Sequence, residues 1–176
     1  MGKINRQKAL LAVCAVLTLI WMGVIFAFSA ADSLHSANMS GGMFRKLLAA
    51  VVPHWSSLPA MQQKVIYQRW HTVFRKCGHF SEYTVLGALL TLTIHKFFVV
   101  KNRLTLPKAE IWLPVLLSFL YAVSDEVHQI FVAGRSCEFR DMMLDTAGAC
   151  CGMGIYFLVH HIWKKCRNHT KKTVSV

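Results

Sequence analysis

Acid is what this sequence has least of. Eight Asp and Glu residues stand against twenty Lys and Arg in 176 residues, a formal net charge of +12. Such an excess usually suggests nucleic acid, but basic nucleic-acid binders carry their charge on polar surfaces. Here the charge falls in blocks between long apolar runs, in a chain that is 55% hydrophobic. That pattern belongs to an integral membrane protein, and no nucleic acid is required. Other absences narrow the chemistry. There is no internal repeat, low-complexity tract or separate soluble domain, no HExxH, no Gly-rich phosphate loop and no Ser-His-Asp order. The six cysteines do not form a zinc pattern.

What is present is a set of membrane-length runs. Ala9 to Phe28 holds twenty residues without a charge, about 30 Å at 1.5 Å per residue, the hydrocarbon thickness. Its start, MGKINRQK, also resembles the basic region of a signal peptide. However, the apolar core exceeds the usual roughly 7–15 residues, and Phe26, Phe28 and Asp32 make a poor cleavage site, so the run reads as a retained span. Three further spans are expected at 80–100, 111–132 and 142–163, each with charge at one end. Pro114 falls in the first turn of the third, where a missing N–H costs least. The expected fold is all-α, a bundle of four transmembrane helices. It divides into a cytoplasmic N-terminus (1–8), a membrane domain (9–163) and a basic cytoplasmic tail (164–176).

Four spans put both termini on one side. The N-terminus, the loop after the second span and the tail together carry twelve Lys and Arg, against eight on the other side. The positive-inside rule therefore places both termini in the cytoplasm. The fifty residues from Ser29 to Gly78 are too many for a simple connection. Met43 to Val52, and a second stretch opened by Pro59, have helical apolar spacing. They suggest one or two short helices on the outer surface, or a docked surface subdomain. The tail KKCRNHTKK suits anionic lipid at the inner surface.

Seven of the eight acids lie in or beside the outer third of the bilayer, from four parts of the chain. Ser29 and Asp32 follow the first span. His79, Glu82 and Tyr83, at i, i+3 and i+4, share a face at the start of the second, just after Arg75 and Lys76. Asp125, His128 and Gln129 share a face at the end of the third, with Glu126 offset by about 100°. Arg135, Glu138 and Arg140 lead into the fourth, where Asp141 and Asp145 align with Gly148 and Gly152. Small residues allow close helix approach, so carboxylates and glycines are expected to face inward together. A charge inside a membrane helix costs about 2.5–3.5 kcal/mol on the lenient insertion scale. These ends are therefore expected to converge on one outward-facing polar site, or to form a network that only holds the helix ends together.

Three stretches resemble the VanZ-like family of bacterial membrane proteins. FRKCGHFSEYTVLGALL (Phe74 to Leu90) is similar to its His-Phe-x-Glu-Tyr motif after basic residues. SDEVHQIFVAGRSCEFRDMMLDTAGACCG (Ser124 to Gly152) is similar to its Asp-Glu-x-His-Gln, Gly-Arg, Arg-Asp and small-residue signature. FAFSAADS (Phe26 to Ser33) resembles a weaker Phe-Ser motif. The resemblance covers roughly Trp21 to Tyr156. It implies that Lys76, His79, Glu82, Tyr83, Asp125, Glu126, His128, Gln129, Arg135, Asp141 and Asp145 are the family's positions. It also implies a link to tolerance of glycopeptide antibiotics, since the family's namesake is associated with teicoplanin resistance. The chain departs in having Ala30 and Ala31 where a polar residue is common, and Asp145 where Asn is frequent.

Three chemistries fit these residues. An enzyme acting on a lipid-linked or phosphate-containing envelope substrate would use His128 or His79 as general base or acid, oriented by Asp125 or Glu82. Arg75, Arg135 and Arg140 would grip a phosphate or carboxylate, with water as nucleophile. A binding protein would instead sequester an envelope lipid or lipoglycopeptide at the same mouth. A proton conduit fits less well, because the inner halves of the spans lack ionisable residues and His95, His160 and His161 do not bridge the gap. No cofactor is firmly implied; Asp125, Glu126, His128, Asp141 and Asp145 would suit magnesium, calcium or manganese. Cys77 and Cys137 both belong to the mouth and could bridge in an oxidising compartment, though sequence cannot give their distance.

Overall fold

The computed structural model describes residues 2–30, 42, 44–101, 107–132 and 137–174. Asp32 and Arg135, both expected at the mouth, lie outside the described residues. Among those residues the chain is helical, with no strand. The helices are α1 (Gly2–Ala30), α2 (44–51), α3 (Ala60–Val100), α4 (Pro107–Gln129) and α5 (Phe139–Val174), with a 3₁₀ turn at Trp55–Ser57 before α3.

Three of these, over Ile4–Ala30, Ala60–Val100 and Phe139–Asn168, are long and apolar enough to cross a membrane. α1 is apolar around its circumference, and Leu10, Val13, Val16, Leu17, Leu19 and Ile20 are exposed. A helix of that kind belongs in lipid. α4, the third expected span, is not among the three. Glu110 and Asp125 leave only 14 uncharged residues between them, about 21 Å of helix against the roughly 30 Å of hydrocarbon. Its acids instead turn inward, as described below.

In the long connection after α1 the first expected stretch forms a short helix, α2, but the second is not a separate helix. The helix that opens after Pro59, its N-cap, continues without a break through Gly78 into the second span. α3 is thus 41 residues long, about 60 Å. Gln63 holds the preceding turn by donating from Nε2 to the carbonyls of Trp55 (2.9 Å) and Leu58 (3.0 Å). α2 folds back on α3 through Phe44, whose ring meets Tyr67, His71 and Phe74 at centroid distances of 5.4, 5.8 and 4.9 Å. The result is a helical hairpin built onto the end of the span. The basic tail is likewise continuous with the last span, since α5 runs to Val174.

α3 is the centre of the bundle and packs against α1, α4 and α5, most extensively against α5. The reason is the glycine stripe. A methyl group added at Gly148 would stand 2.5 Å from the Phe80 carbonyl oxygen, and one at Gly152 would collide with the Thr84 carbonyl. One at Gly87 would meet the backbone of Ala149. Backbone touches backbone along this seam, which is how membrane helices associate when no hydrophobic drive is available between them. Ile25, Tyr83, Leu86, Leu90 and Ala122 form the core, with Trp21, Met22 and Tyr121 packed around it.

Candidate functional site

The site is built on Tyr83. It is fully buried at the point where α3 meets α4 and α5, within electrostatic reach of Asp125, Glu126 and Asp145. Asp145, 1% exposed, also feels the charges of Asp141 and Glu82. Carboxylates from three helices are therefore gathered at one end of the bundle. The close α3–α5 seam places Asp145, because Gly148 lies one turn along the same stripe.

The expected residues take different parts there. Lys76 bridges α3 to α5, donating from Nζ to Asp141 Oδ1 and standing 3.6 Å from Glu138 Oε2. Gln129 donates from Nε2 to Asp125 Oδ2 at 3.2 Å, so Asp125 is oriented by an amide one turn away rather than by His128. His128 packs instead against the ring of Phe26 on α1, 4.4 Å between centroids. His79 sits beside Glu82 on α3, with Nδ1 3.7 Å from Oε2. Of the two pairings of histidine with acid, only that of His79 with Glu82 is close.

Glu126, offset from the shared face in the sequence, is buried all the same, at 2% exposed. Its Oε2 accepts the backbone N–H of Glu138 at 2.8 Å. Glu138 stands at the entry to α5, where the first amides lack intrahelical partners and the dipole favours a carboxylate. Glu126 therefore anchors the start of α5 to the end of α4. Arg75 is half-buried and Arg140 exposed. Cys77 and Cys137 are both free and exposed, without the bridge between them.

Four buried polar atoms stand out. Asp145 Oδ1, Asp125 Oδ1, the Tyr83 hydroxyl and the Ser29 Oγ have no hydrogen-bond partner among the described residues. His128 Nδ1 is in the same position. Buried polar groups are ordinarily paired, and an unpaired one in a native site asks for a functional explanation. Among the described residues, no three His, Cys, Asp or Glu side chains gather as a ligand set for a metal ion. The geometry suits proton transfer and hydrogen bonding to a polar guest, with carboxylates outnumbering cations among the described residues.

Residues not singled out in the sequence complete the frame. Trp21 donates from Nε1 to the Glu82 carbonyl at 2.9 Å, and the Tyr121 hydroxyl donates to the Met22 carbonyl at 2.6 Å. Together they tie α1 to α3 and α4. Tyr121 carries a readable signal, since it lies one turn before Asp125 on the same face; Trp21 carries none that separates it from lipid-facing filler. The opposite end of the bundle holds a second polar group, His95 with Glu110 (3.4 Å) and His160 (5.1 Å between rings). His95 lies twelve residues beyond Tyr83, about 18 Å along α3, with Leu86 and Leu90 between them.

The match to known proteins follows the same residues. No curated protein and no solved structure matches the chain. The family model VanZ/LLP1 matches residues 14–160, which takes in the ends of α3, α4 and α5 that form this mouth. An all-helical chain with membrane-length helices, matched over most of its length, belongs to the VanZ/LLP1 family.

Proposed function

We propose that this chain is a four-span protein of the bacterial cytoplasmic membrane, both termini in the cytoplasm, whose outward mouth acts on the polar head of a lipid-linked envelope molecule. The cell acquires tolerance to glycopeptide or lipopeptide antibiotics through that activity. The short apolar length of α4 fits a span that turns its acids to the mouth and Trp112, Leu116 and Leu120 to lipid. One observation carries the reading: among the described residues, Asp125 and Asp145, each no more than 2% exposed, keep an oxygen without a hydrogen-bond partner beside the similarly unpartnered Tyr83 hydroxyl. Buried carboxylates without a cation are costly, and a site that receives hydroxyl or amine donors from a guest offsets that cost. His79, paired with Glu82, then takes the proton of a water that attacks the guest's phosphoester and returns it to the lipid alcohol that leaves as the ester bond breaks, and Lys76 holds Asp141 and Glu138 at the rim.

A second reading has its own observation. The Lys76 bridge and the Glu126 cap are structural links between helices, and a mouth made only of such links would bind an amphiphile without turnover.

The test is expression of Asp145→Asn, His79→Ala and His128→Ala at matched membrane levels, scored by glycopeptide susceptibility. Purified protein is scored in parallel for phosphate release from lipid-linked substrates. Loss of tolerance and of release in Asp145→Asn and His79→Ala supports turnover. Loss of tolerance with no release by the parent supports sequestration, and tolerance intact in all three removes the mouth from the function.

A further inference from the structure

The acids at the mouth are unevenly provided for. Among the described residues, Asp141 and Glu138 share Lys76, Glu126 accepts the Glu138 amide, and Glu82 stands beside His79. Among the same residues Asp125 and Asp145, both buried, each keep an oxygen with no hydrogen-bond partner. The Gln129 amide reaches only Oδ2 of Asp125 and leaves Oδ1 open. The Tyr83 hydroxyl, fully buried, is open as well.

These oxygens come from three helices: Tyr83 from α3, Asp125 from α4 and Asp145 from α5. Each lies within electrostatic reach of the other two, yet the hydroxyl bonds neither carboxylate. Two buried carboxylates hold their charge at a high cost unless a cation lies beside them. Counting donors selects that cation. A hydroxyl brings one donor and no charge, whereas a quaternary ammonium brings charge and no N–H. A primary ammonium brings three donors and a positive charge, with no acceptor of its own. It matches three open oxygens of which two are carboxylate.

We propose that the mouth selects a guest whose head carries a primary ammonium, held by Asp125 Oδ1, Asp145 Oδ1 and the Tyr83 hydroxyl. This rests on the reading of the mouth as a site for a lipid-linked head, and it names the class of head: an aminoalkyl phosphoester. Arg75, His79 and Tyr83 recur at i, i+4 and i+8 along one side of α3. His79 is thus about 6 Å from Tyr83 along the helix, the reach of a short alkyl spacer. The ammonium offsets the charge of the two acids, and the phosphoester lies a turn away at His79, with Arg75 one turn further on. The acids therefore meet the cationic end of the guest and not its phosphate.

The experiment is native mass spectrometry of the detergent-purified full chain, titrated separately with phosphatidylethanolamine, its N-acetyl derivative and phosphatidylcholine. The derivative lacks the charge, and phosphatidylcholine keeps the charge but lacks the donors. A hydrogen bond to a charged group is worth about tenfold or more in affinity. The parent should therefore bind phosphatidylethanolamine at least tenfold more tightly than either analogue at one site. Asp145→Asn should abolish that preference and Tyr83→Phe should weaken it, with phosphatidylcholine binding unchanged in both, which separates the site from folding. Soluble phosphoethanolamine that displaces the lipid at equal concentration supports the ammonium site and assigns it to a free head. Displacement only in large excess supports it and assigns it to a lipid. Equal affinity of the parent for phosphatidylethanolamine and its N-acetyl derivative overturns the proposal. So does a preference that persists in Asp145→Asn, or one that emerges only in Arg135→Gln, since the chain's own arginine would then serve the acids. Diacylglycerol formation is read separately. Preference without hydrolysis leaves the ammonium site standing and removes turnover, whereas hydrolysis without preference removes the ammonium site and leaves turnover.

Discussion

Gly152 and Gly154 are two residues apart on α5 and should respond to the same substitution with opposite signs. A methyl group at Gly152 collides with the Thr84 carbonyl and comes within 2.9 Å of the Ala88 amide nitrogen. Both obstacles are backbone, so no rotamer change relieves them, and α3 and α5 must part. A gap of 0.5–1 Å already forfeits about a quarter to a half of each atom pair's dispersion well along the seam. Overpacking in a tight core typically costs about 1–3 kcal/mol, and a backbone obstacle puts Gly152→Ala at the upper end. At Gly154 nothing lies within 4 Å of the added carbon. Gly154→Ala therefore gains the roughly 0.5–1 kcal/mol that alanine brings to a helix interior. The two variants should differ by about 2–4 kcal/mol, which for a chain of this size is roughly 5–15 °C in unfolding midpoint. Thermal unfolding of the detergent-purified chain reads this directly. Equal midpoints would show that the α3–α5 seam is not in backbone contact, and the placement of Asp145 would fail with it.

Other consequences follow from the same geometry. In a double-mutant cycle, Lys76→Met and Asp141→Asn should couple by about 0.5–1 kcal/mol, because the pair is only partly buried; additive midpoints would deny the bridge. Asp145→Asn removes a buried carboxylate that has no cation partner among the described residues and should raise the unfolding midpoint while removing antibiotic tolerance. A lower midpoint would mark Asp145 as structural. Tyr121→Phe leaves the Met22 carbonyl one donor short and should cost about 1 kcal/mol; an unchanged midpoint would mean that the hydroxyl does not hold α1.

Much of this arrangement was legible in residue spacing. Asp141, Asp145, Gly148 and Gly152 fall on one helical stripe, and the structure brings that stripe against α3. Spacing failed where a side chain crosses between elements. Glu126 lies about 100° off the face of Asp125, yet is drawn inward by an amide at the mouth of α5, and a helical projection of α4 alone cannot contain that partner. His128 has the right register for Asp125, but the aromatic surface of Phe26 on α1 claims it. The second stretch of the long connection departs from expectation for a different reason. Pro59 marks a helix start, but no proline or capping residue ends that helix before Phe80, and glycine alone at Gly78 does not stop it.

The central claim is that α3 and α5 bring ionisable side chains together at the outward end of the bundle. Paired cysteines at Lys76→Cys and Asp141→Cys, in a chain with the native cysteines replaced, test it in intact cells. The account predicts an efficient intramolecular crosslink on mild oxidation, and labelling of the reduced pair by a thiol reagent that cannot cross the membrane. A pair that does not crosslink, or that is labelled only after the cells are permeabilised, would contradict it.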